Sequence, residues 1–111
     1  MRSEFLKKDE GKPGFELLPI ELLSEVNLVL RHGARKYGVC NWCKKEGFVY
    51  SRCYNALWRH MLAWWRGEDN DKETGLSHLS HAMCNLLFLM YHFKYNNKEA
   101  DDRPIYKGET K

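Results

Sequence analysis

The sequence contains no hydrophobic run that could cross a membrane and no dense cluster of basic residues. Its longest apolar run, Leu86 to Tyr91, is far shorter than the roughly 20 residues that a bilayer requires. Lys and Arg outnumber Asp and Glu only by 18 to 15 and lie scattered along the chain, whereas a nucleic-acid groove usually shows a basic stripe. We therefore expect neither a membrane nor a nucleic acid as a partner.

The N-terminal segment MRSEFLKKDEGK lacks the apolar stretch of a secretory signal, which predicts a cytoplasmic protein with free thiols. Cys40 and Cys43 form a C-x-x-C pair, but no strand pattern precedes it, and Cys53 is the only further cysteine nearby. A zinc site needs four ligands, and a redox motif usually follows a strand. Ordinary loop thiols are favoured over both alternatives.

Strand-like alternation is also missing, and helical periodicity takes its place. The apolar stripe after Pro19 predicts a first helix from Ile20 to Tyr37, because proline suits the start of a helix. Gly38 can supply its C-terminal cap. The following residues, 38–50, carry two glycines and irregular polarity, which is typical of a loop.

A second helix is predicted over residues 52–66, with Ser51 as its N-cap and Gly67 at its end. After a polar turn, Thr74 or Ser77 caps a third helix that runs to about Tyr95. This third helix is apolar almost all round, which predicts a central, buried position.

The predicted fold is therefore all-α, a bundle of about three main helices in a single domain of 111 residues. Its core is expected over residues 12–95. The polar tail, residues 96–111, is expected to be mobile or to be used in contacts.

Four polar side chains lie on one narrow stripe of the apolar third helix. His78, His81, Asn85 and His92 are spaced three, four and seven residues apart, which aligns them at about 100° per residue. Buried polar groups are costly unless they are paired. The stripe is therefore either a set of core side chains satisfied by neighbours or the wall of a functional cleft that holds water, a metal or a ligand.

The stretch RGEDNDKETGLSHLSHAMCN, residues 66–85, places acidic side chains just before this stripe. Glu68 and Asp71 are one helical turn apart if the second helix continues or a turn holds them. Two carboxylates at that spacing can share a hard cation such as Mg²⁺. The alternative is an ordinary solvated acidic turn.

Two further positions are candidates for the same cleft. Glu25 and Lys36 project from the first helix in nearly the same direction and offer a carboxylate for a metal and an ammonium for a phosphate. The charged flank of any amphipathic helix looks similar. His60 lies at the edge of the second helix's apolar face, where Ala56 and Ala63 leave room for close helix packing or a ligand.

Several segments together resemble the dATP/dGTP diphosphohydrolase family found in many phages. They are KPGFELLP, GARKYG and NW in the first half, and RH, AW, GE, ETGL, HL and HA in the second. The resemblance runs from about Lys12 to Leu89. The family is related to the all-α nucleoside triphosphate pyrophosphohydrolases.

The resemblance implies hydrolysis of a purine deoxynucleoside triphosphate, dGTP or dATP, to the monophosphate and pyrophosphate with Mg²⁺ or Mn²⁺. It implies a homo-oligomer, a dimer or tetramer, and location in the host cytoplasm if a phage encodes the chain. The wider superfamily holds its metals with E-x-x-E and E-x-x-D pairs. Here His78 and His81 stand where the second pair is expected, and Glu68-x-x-Asp71 has the right spacing just before them.

The site predicted on this basis performs metal-assisted attack of water on the α-phosphorus. The predicted metal ligands are Glu68, Asp71 and Glu25. The residues predicted to act in catalysis are Glu68, Asp71, His78 and His81. The residues predicted to bind the substrate are Lys36, Asn41, Trp42, Arg59, His60 and Asn85. The alternative function is a non-enzymatic helical module that binds a partner protein through its aromatic helices.

Overall fold

The structure, a computed structural model, describes residues 11–12 and 14–105. In that part of the chain the regular elements are helices, and the one β-type pairing is an isolated bridge between Asn70 and Ser77. The prediction of an all-α protein with three main helices is confirmed. The helices are α1 (Ile20–Tyr37), α2 (Tyr50–Trp65) and α3 (His78–Lys94).

Helix α1 has the predicted bounds because strong local signals stand at both ends. Pro19 is its N-cap residue, and Gly38 follows its last turn. Gly38 has a φ of +97°, which a residue with a β-carbon rarely adopts, and its N–H donates to the Ala34 carbonyl at 2.9 Å. The chain therefore leaves α1 sharply at this glycine.

Helix α2 begins at Tyr50, two residues earlier than predicted, and Ser51 is not its cap. The backbone N–H of Ser51 instead donates to Asp102 Oδ1 at 2.9 Å, and its hydroxyl donates to the other carboxylate oxygen. A carboxylate from the tail thus occupies the N-terminus of α2, where the helix dipole favours negative charge. The prediction was wrong because this partner lies 51 residues further along the chain.

Helix α2 ends as predicted at a glycine. Gly67 has a φ of +102°, and its N–H donates to the Trp64 carbonyl at 3.0 Å. The next N–H, that of Glu68, donates to the Ala63 carbonyl at 3.0 Å. These two hydrogen bonds form a Schellman motif, which ends the helical path before the acidic residues begin.

Helix α3 packs mainly against α2 and also against α1. Ser77 caps it, as one of the two predicted candidates, by accepting a hydrogen bond from the N–H of Leu79 at 3.1 Å. The contact with α1 includes Cys84, whose thiol lies 3.5 Å from the Val26 carbonyl. Both other helices therefore meet on α3.

Helix α3 does not bury its apolar side chains all round. Its small and polar side chains face the other helices, while one face of large apolar side chains stays exposed, which differs from the predicted central burial. The buried residues are His78, Ser80, Ala82, Cys84 and His92. The residues on the exposed face, which we call the apolar stripe of α3, are Leu79, Met83, Leu86, Met90 and Phe93.

The described part of the predicted tail packs against the helices. Asn97 and Ala100 are buried, and Asp102 reaches α2. The rest of the tail, residues 106–111, lies outside the described residues, as do residues 1–10 and 13 at the other end of the predicted domain. Among the described helices, none combines the length and apolar character that a bilayer span requires.

Candidate metal centre

The loop between α2 and α3 folds into a short hairpin that brings Asp71 over the start of α3. The N–H of Asp71 donates to the Leu76 carbonyl at 2.8 Å, and the N–H of Gly75 donates back to the Asp71 carbonyl at 2.7 Å. The N–H of His78 donates to the Asp69 carbonyl at 3.0 Å, which ties the first residue of α3 to the same hairpin. The acidic segment is therefore a fixed loop rather than an extension of α2.

The hydrogen bonds that fix the Asp71 carboxylate go to one of its oxygens. Oδ1 accepts from the backbone N–H groups of Glu73 at 2.9 Å and Thr74 at 3.0 Å. Partial burial favours the neutral carboxyl, but these N–H donors outweigh it and hold the pKa of Asp71 below its usual value. The carboxylate is thus ionised and oriented at neutral pH.

Two histidines face each other beside this carboxylate. His60 on α2 and His78 on α3 bring their Nδ1 atoms to 2.8 Å from one another. On the far side of its ring, His78 has its Nε2 atom 2.6 Å from Glu68 Oε2. The hydrogen bond from His78 is the main reason that the pKa of Glu68 lies below its ordinary value.

Ligand atoms of His60, Asp71 and His78 all lie within 4.8 Å of one another, so the three side chains can hold one metal ion. Two imidazole nitrogens and a carboxylate oxygen suit a divalent metal. Over residues 11–12 and 14–105, this is the one group of three such side chains. Glu68, predicted as a ligand together with Asp71, is not in this group and contacts the Nε2 atom of His78, and its role as a ligand stays a prediction.

A third histidine, His81, adjoins His60, Asp71 and His78, and we call these four side chains the cluster. The ring of His81 stacks on that of His60, with centroids 4.5 Å apart and planes inclined by 8°. Its Nε2 atom lies 2.7 Å from the hydroxyl oxygen of Thr74. Burial lowers the pKa of His81, and burial together with the neighbouring imidazoles lowers the pKa of His60 to about 4. Both rings are therefore neutral near pH 7.

Helix α1 contributes a cation at the edge of the cluster. Lys36 Nζ lies 3.0 Å from Glu73 Oε1, and this hydrogen bond is the main reason that the pKa of Lys36 is raised. Glu25 is exposed and 11 residues earlier on α1, which is about 16 Å along the helix axis. It lies outside the group of His60, Asp71 and His78, and its role as a ligand stays a prediction.

The sequence matches a family model described as dATP/dGTP diphosphohydrolase, N-terminal, over residues 2–103. It is also 37% identical over 98 residues to a dATP/dGTP diphosphohydrolase from Salmonella phage PMBT28. The chain belongs to the dATP/dGTP diphosphohydrolase N-terminal family. The alignment covers 88% of this chain and 32% of the phage protein, so the chain spans about a third of its relative's length. No solved structure matches the chain.

Two further residues that were predicted to bind the substrate, Arg59 and Asn85, lie on α2 and α3. Arg59 is exposed and adjacent to His60 on α2, and its charge contributes to the lowered pKa of His60. Asn85 donates from Nδ2 to the His81 carbonyl at 3.0 Å, within its own helix. Each of these two side chains is therefore close to the cluster along its helix.

Asn41 and Trp42 lie in a 3₁₀ turn that packs against the opposite end of α3. The Trp42 ring stacks on Phe88, with centroids 4.9 Å apart. Phe88 follows His78 by ten residues, which is about 15 Å along the helix. The structure therefore does not bring this turn to the cluster within one chain, and the predicted contacts with the substrate stay predictions.

From the sequence, His60 was predicted to bind the substrate but was not predicted to be a metal ligand. Its position between alanines on the apolar edge of α2 was the available signal. No feature of the sequence predicted the contact between Thr74 and His81, because Thr74 was considered only as a possible helix cap. His32 lies on the same flank of α1 as Glu25 and Lys36 but was not among the predicted site residues, although it lies near enough to His81 to affect the pKa of that ring. Four of the five histidines in the sequence thus belong to this region.

The C-x-x-C pair lies outside this centre. Cys40 is exposed, Cys43 is half-buried, and both are free thiols. Within the described part of the chain, neither belongs to a group of three metal-type side chains. The described residues therefore provide no additional ligand for a zinc site at Cys40 and Cys43.

Proposed function

We propose that this chain takes part in the metal-dependent hydrolysis of purine deoxynucleoside triphosphates, dGTP or dATP, to the monophosphate and pyrophosphate. The observation that carries the proposal is the convergence of His60, Asp71 and His78 in a member of a family named for this substrate class. The name of the phage relative supports the same substrates. A phage nucleotide pool and the cytoplasm of its host are the setting that we propose.

The three converging side chains would hold a divalent metal ion, with Mg²⁺ and Mn²⁺ the ions expected for the family. A bound ion would neutralise charge on the triphosphate and make a water molecule easier to deprotonate. The chain's own residues supply orientation: Asp71 is fixed by backbone N–H donors, and His78 is held by Glu68.

Water is the nucleophile in the proposed reaction. Its oxygen bonds to the α-phosphorus while the bond from that phosphorus to the bridging oxygen of the β-phosphate breaks, and pyrophosphate leaves. His81 is neutral near pH 7 because burial lowers its pKa, so it can accept the proton of the water. Lys36 and Arg59 offer positive charge for phosphate oxygens at the edges of the cluster.

Oligomerisation is the second part of the proposal. The apolar stripe of α3 places large side chains at intervals of four, three, four and three residues, and each is at least 42% exposed. This is the spacing of a helix seam that packs against another helix. We expect sedimentation equilibrium to give a dimer or tetramer, and we expect Leu86→Glu to shift it toward monomer. A wild-type monomer would contradict this part.

The activity is tested with the purified chain, Mn²⁺ or Mg²⁺, and dGTP, dATP, dCTP and dTTP, with products resolved by chromatography. The proposal expects dGMP or dAMP and pyrophosphate in equal amounts. Asp71→Asn should abolish their release, while the neighbouring Asp69→Asn, whose carboxylate lies outside the cluster, is the matched control. Absence of pyrophosphate from every reaction would favour the alternative, a non-enzymatic helical interaction module.

A further inference from the structure

The hydrogen bonds between Glu68, His78 and His60 determine which ring nitrogen of His78 is available. An ionised carboxylate only accepts hydrogen bonds, so the 2.6 Å contact with Glu68 requires the proton of His78 to be on Nε2. When Nε2 carries the single ring proton of His78, its Nδ1 atom has a lone pair. That atom faces His60 Nδ1 at 2.8 Å and accepts a hydrogen bond from the Nδ1–H of His60.

His78 also belongs, with His60 and Asp71, to the group whose ligand atoms converge, and Nδ1 is its nitrogen that faces His60. If Glu68 were absent, the proton of His78 could move to Nδ1 and remove the lone pair that faces His60. A carboxylate behind a ligating histidine commonly fixes the tautomer and raises the basicity of the ligand. His78 is only 4% exposed, so few other groups can take over this task.

We propose that the two imidazoles and the Asp71 carboxylate select a divalent transition metal ion over Mg²⁺, and that Glu68 is the positioning residue that makes His78 a ligand. This inference refines the metal requirement in the proposed function. Imidazole nitrogen suits ions such as Zn²⁺, and the affinity of such a site rises from Mn²⁺ to Co²⁺ along the transition series, whereas Mg²⁺ prefers oxygen ligands and retains its waters. A site with two nitrogens among three protein ligands therefore disfavours Mg²⁺.

An alternative explanation is that the three side chains form only a structural hydrogen-bond network between α2 and α3. A structural network would need just the contacts of the His78 ring with His60 and with Glu68. It would not require a third ligand atom, from a carboxylate held by its own backbone donors, to lie within 4.8 Å of both rings. The convergence of Asp71 therefore favours a metal site.

The test is calorimetric titration of the metal-free chain with Mn²⁺, Co²⁺, Zn²⁺ and Mg²⁺ separately, with no nucleotide present. We expect one transition ion per chain at this site and at least a 100-fold weaker affinity for Mg²⁺. Glu68→Gln should weaken transition-ion binding by about 10- to 100-fold. Asp69→Asn, which removes a neighbouring charge on the same loop, should change it less than twofold.

Two further measurements separate positioning from folding. Thermal unfolding in chelator should be similar for wild type and Glu68→Gln, because Glu68 is half-exposed. The ¹⁵N chemical shifts of His78 should show the Nε2–H tautomer in the wild type and a mixture of tautomers in Glu68→Gln. If Glu68→Gln unfolds, Glu68→Asp must still weaken binding, since the shorter side chain cannot keep the same contact.

Equal affinity for Mg²⁺ and the transition ions would overturn the inference, as would unchanged binding in Glu68→Gln or no bound ion at all. The outcome is distinguishable from that of the proposed function. Selective binding without release of pyrophosphate supports the inference and overturns the function. Hydrolysis of dGTP or dATP without selective metal binding overturns the inference and supports the function.

Discussion

The two ends of α3 each bury a histidine, but the partners of the two rings differ in kind. At the N-terminal end, His78 contacts a carboxylate on one nitrogen and another imidazole on the other. At the C-terminal end, His92 Nε2 donates to the Trp42 carbonyl at 2.7 Å, and its Nδ1 accepts from Asn97 at 3.1 Å. The partners of His78 can change protonation or bind a cation, whereas those of His92 are neutral amides.

The difference shows that burial alone does not indicate a site. His92 is 1% exposed, and its ring also stacks on Phe48 with centroids 3.6 Å apart. Both of its nitrogens are satisfied by groups that hold loops against α3, so no lone pair remains for a ligand. The N-terminal end instead collects several titratable groups around one point, which is typical of functional sites.

The largest effect is expected when His60 is removed. His60→Ala deletes a ligand of the proposed centre and should weaken transition-metal binding by more than about 100-fold, beyond the range of an outer-shell partner. Calorimetry with Mn²⁺ or Co²⁺ measures this loss. His92→Ala, measured below its unfolding temperature, should bind metal like the wild type. Equal losses of metal affinity in both variants would show that the two ends of α3 do not differ in metal binding.

His92→Ala should instead reduce stability. The substitution removes two buried hydrogen bonds and a ring contact and leaves the Trp42 carbonyl and the Asn97 amide without this partner. We expect a loss of about 2–3 kcal/mol in the free energy of unfolding. Urea unfolding in chelator measures it, and a loss below about 0.5 kcal/mol would contradict a structural role for this end.

Acid should destabilise the N-terminal end in particular. The pKa of His60 is lowered to about 4, below its ordinary 6.5, so the unfolded chain binds more protons between these values. The stability that depends on neutral His60 is present above pH 6.5 and is lost as the pH falls toward 4. Allowing for partial exposure, we expect about 1 kcal/mol between pH 7 and 5.

Urea unfolding of the metal-free chain at the two pH values measures this difference. His60→Gln should reduce the pH dependence, whereas His92→Gln should retain it because His60 remains. His81 contributes in the same direction, since burial lowers its pKa too. A His60→Gln variant with the full wild-type pH dependence would contradict the assignment to His60.

The smallest effect is expected at the edge of the cluster. Lys36 and Glu73 form an ion pair with side chains 49% and 67% exposed. Such pairs contribute little in water, and Glu73→Gln should change the free energy of unfolding by less than about 0.5 kcal/mol. A larger loss in the same urea experiment would show that α1 is held to the loop more strongly than this contact explains.

Local signals predicted the helices well where the signal and its partner were close in sequence. Pro19 and Gly38 gave both ends of α1, and Ser77 was one of two candidates for the cap of α3. The start of α2 was missed because Asp102, 51 residues from Ser51, accepts its N–H. A cap supplied across the fold leaves no trace in the nearby sequence.

The sequence predicted which residues form the candidate site better than it predicted how they are arranged. Glu68 and Asp71 were paired by helical spacing, but the positive φ of Gly67 ends the helix before them. The hairpin closed by the bridge between Asn70 and Ser77 then turns Asp71 toward the histidines. Spacing along a helix is informative only while the helix continues, which is why the two carboxylates take different positions.

The sequence by itself determined the all-α class, most helix ends and the collection of imidazoles and carboxylates around the α2–α3 junction. These features depend on periodicity, capping and side-chain chemistry, which act over a few residues. Only the tertiary structure decided that His60 meets His78, that Asp71 converges with them and that Glu68 lies behind the ring. These contacts depend on how α2 packs against α3, and that packing joins atoms from residues far apart in the chain.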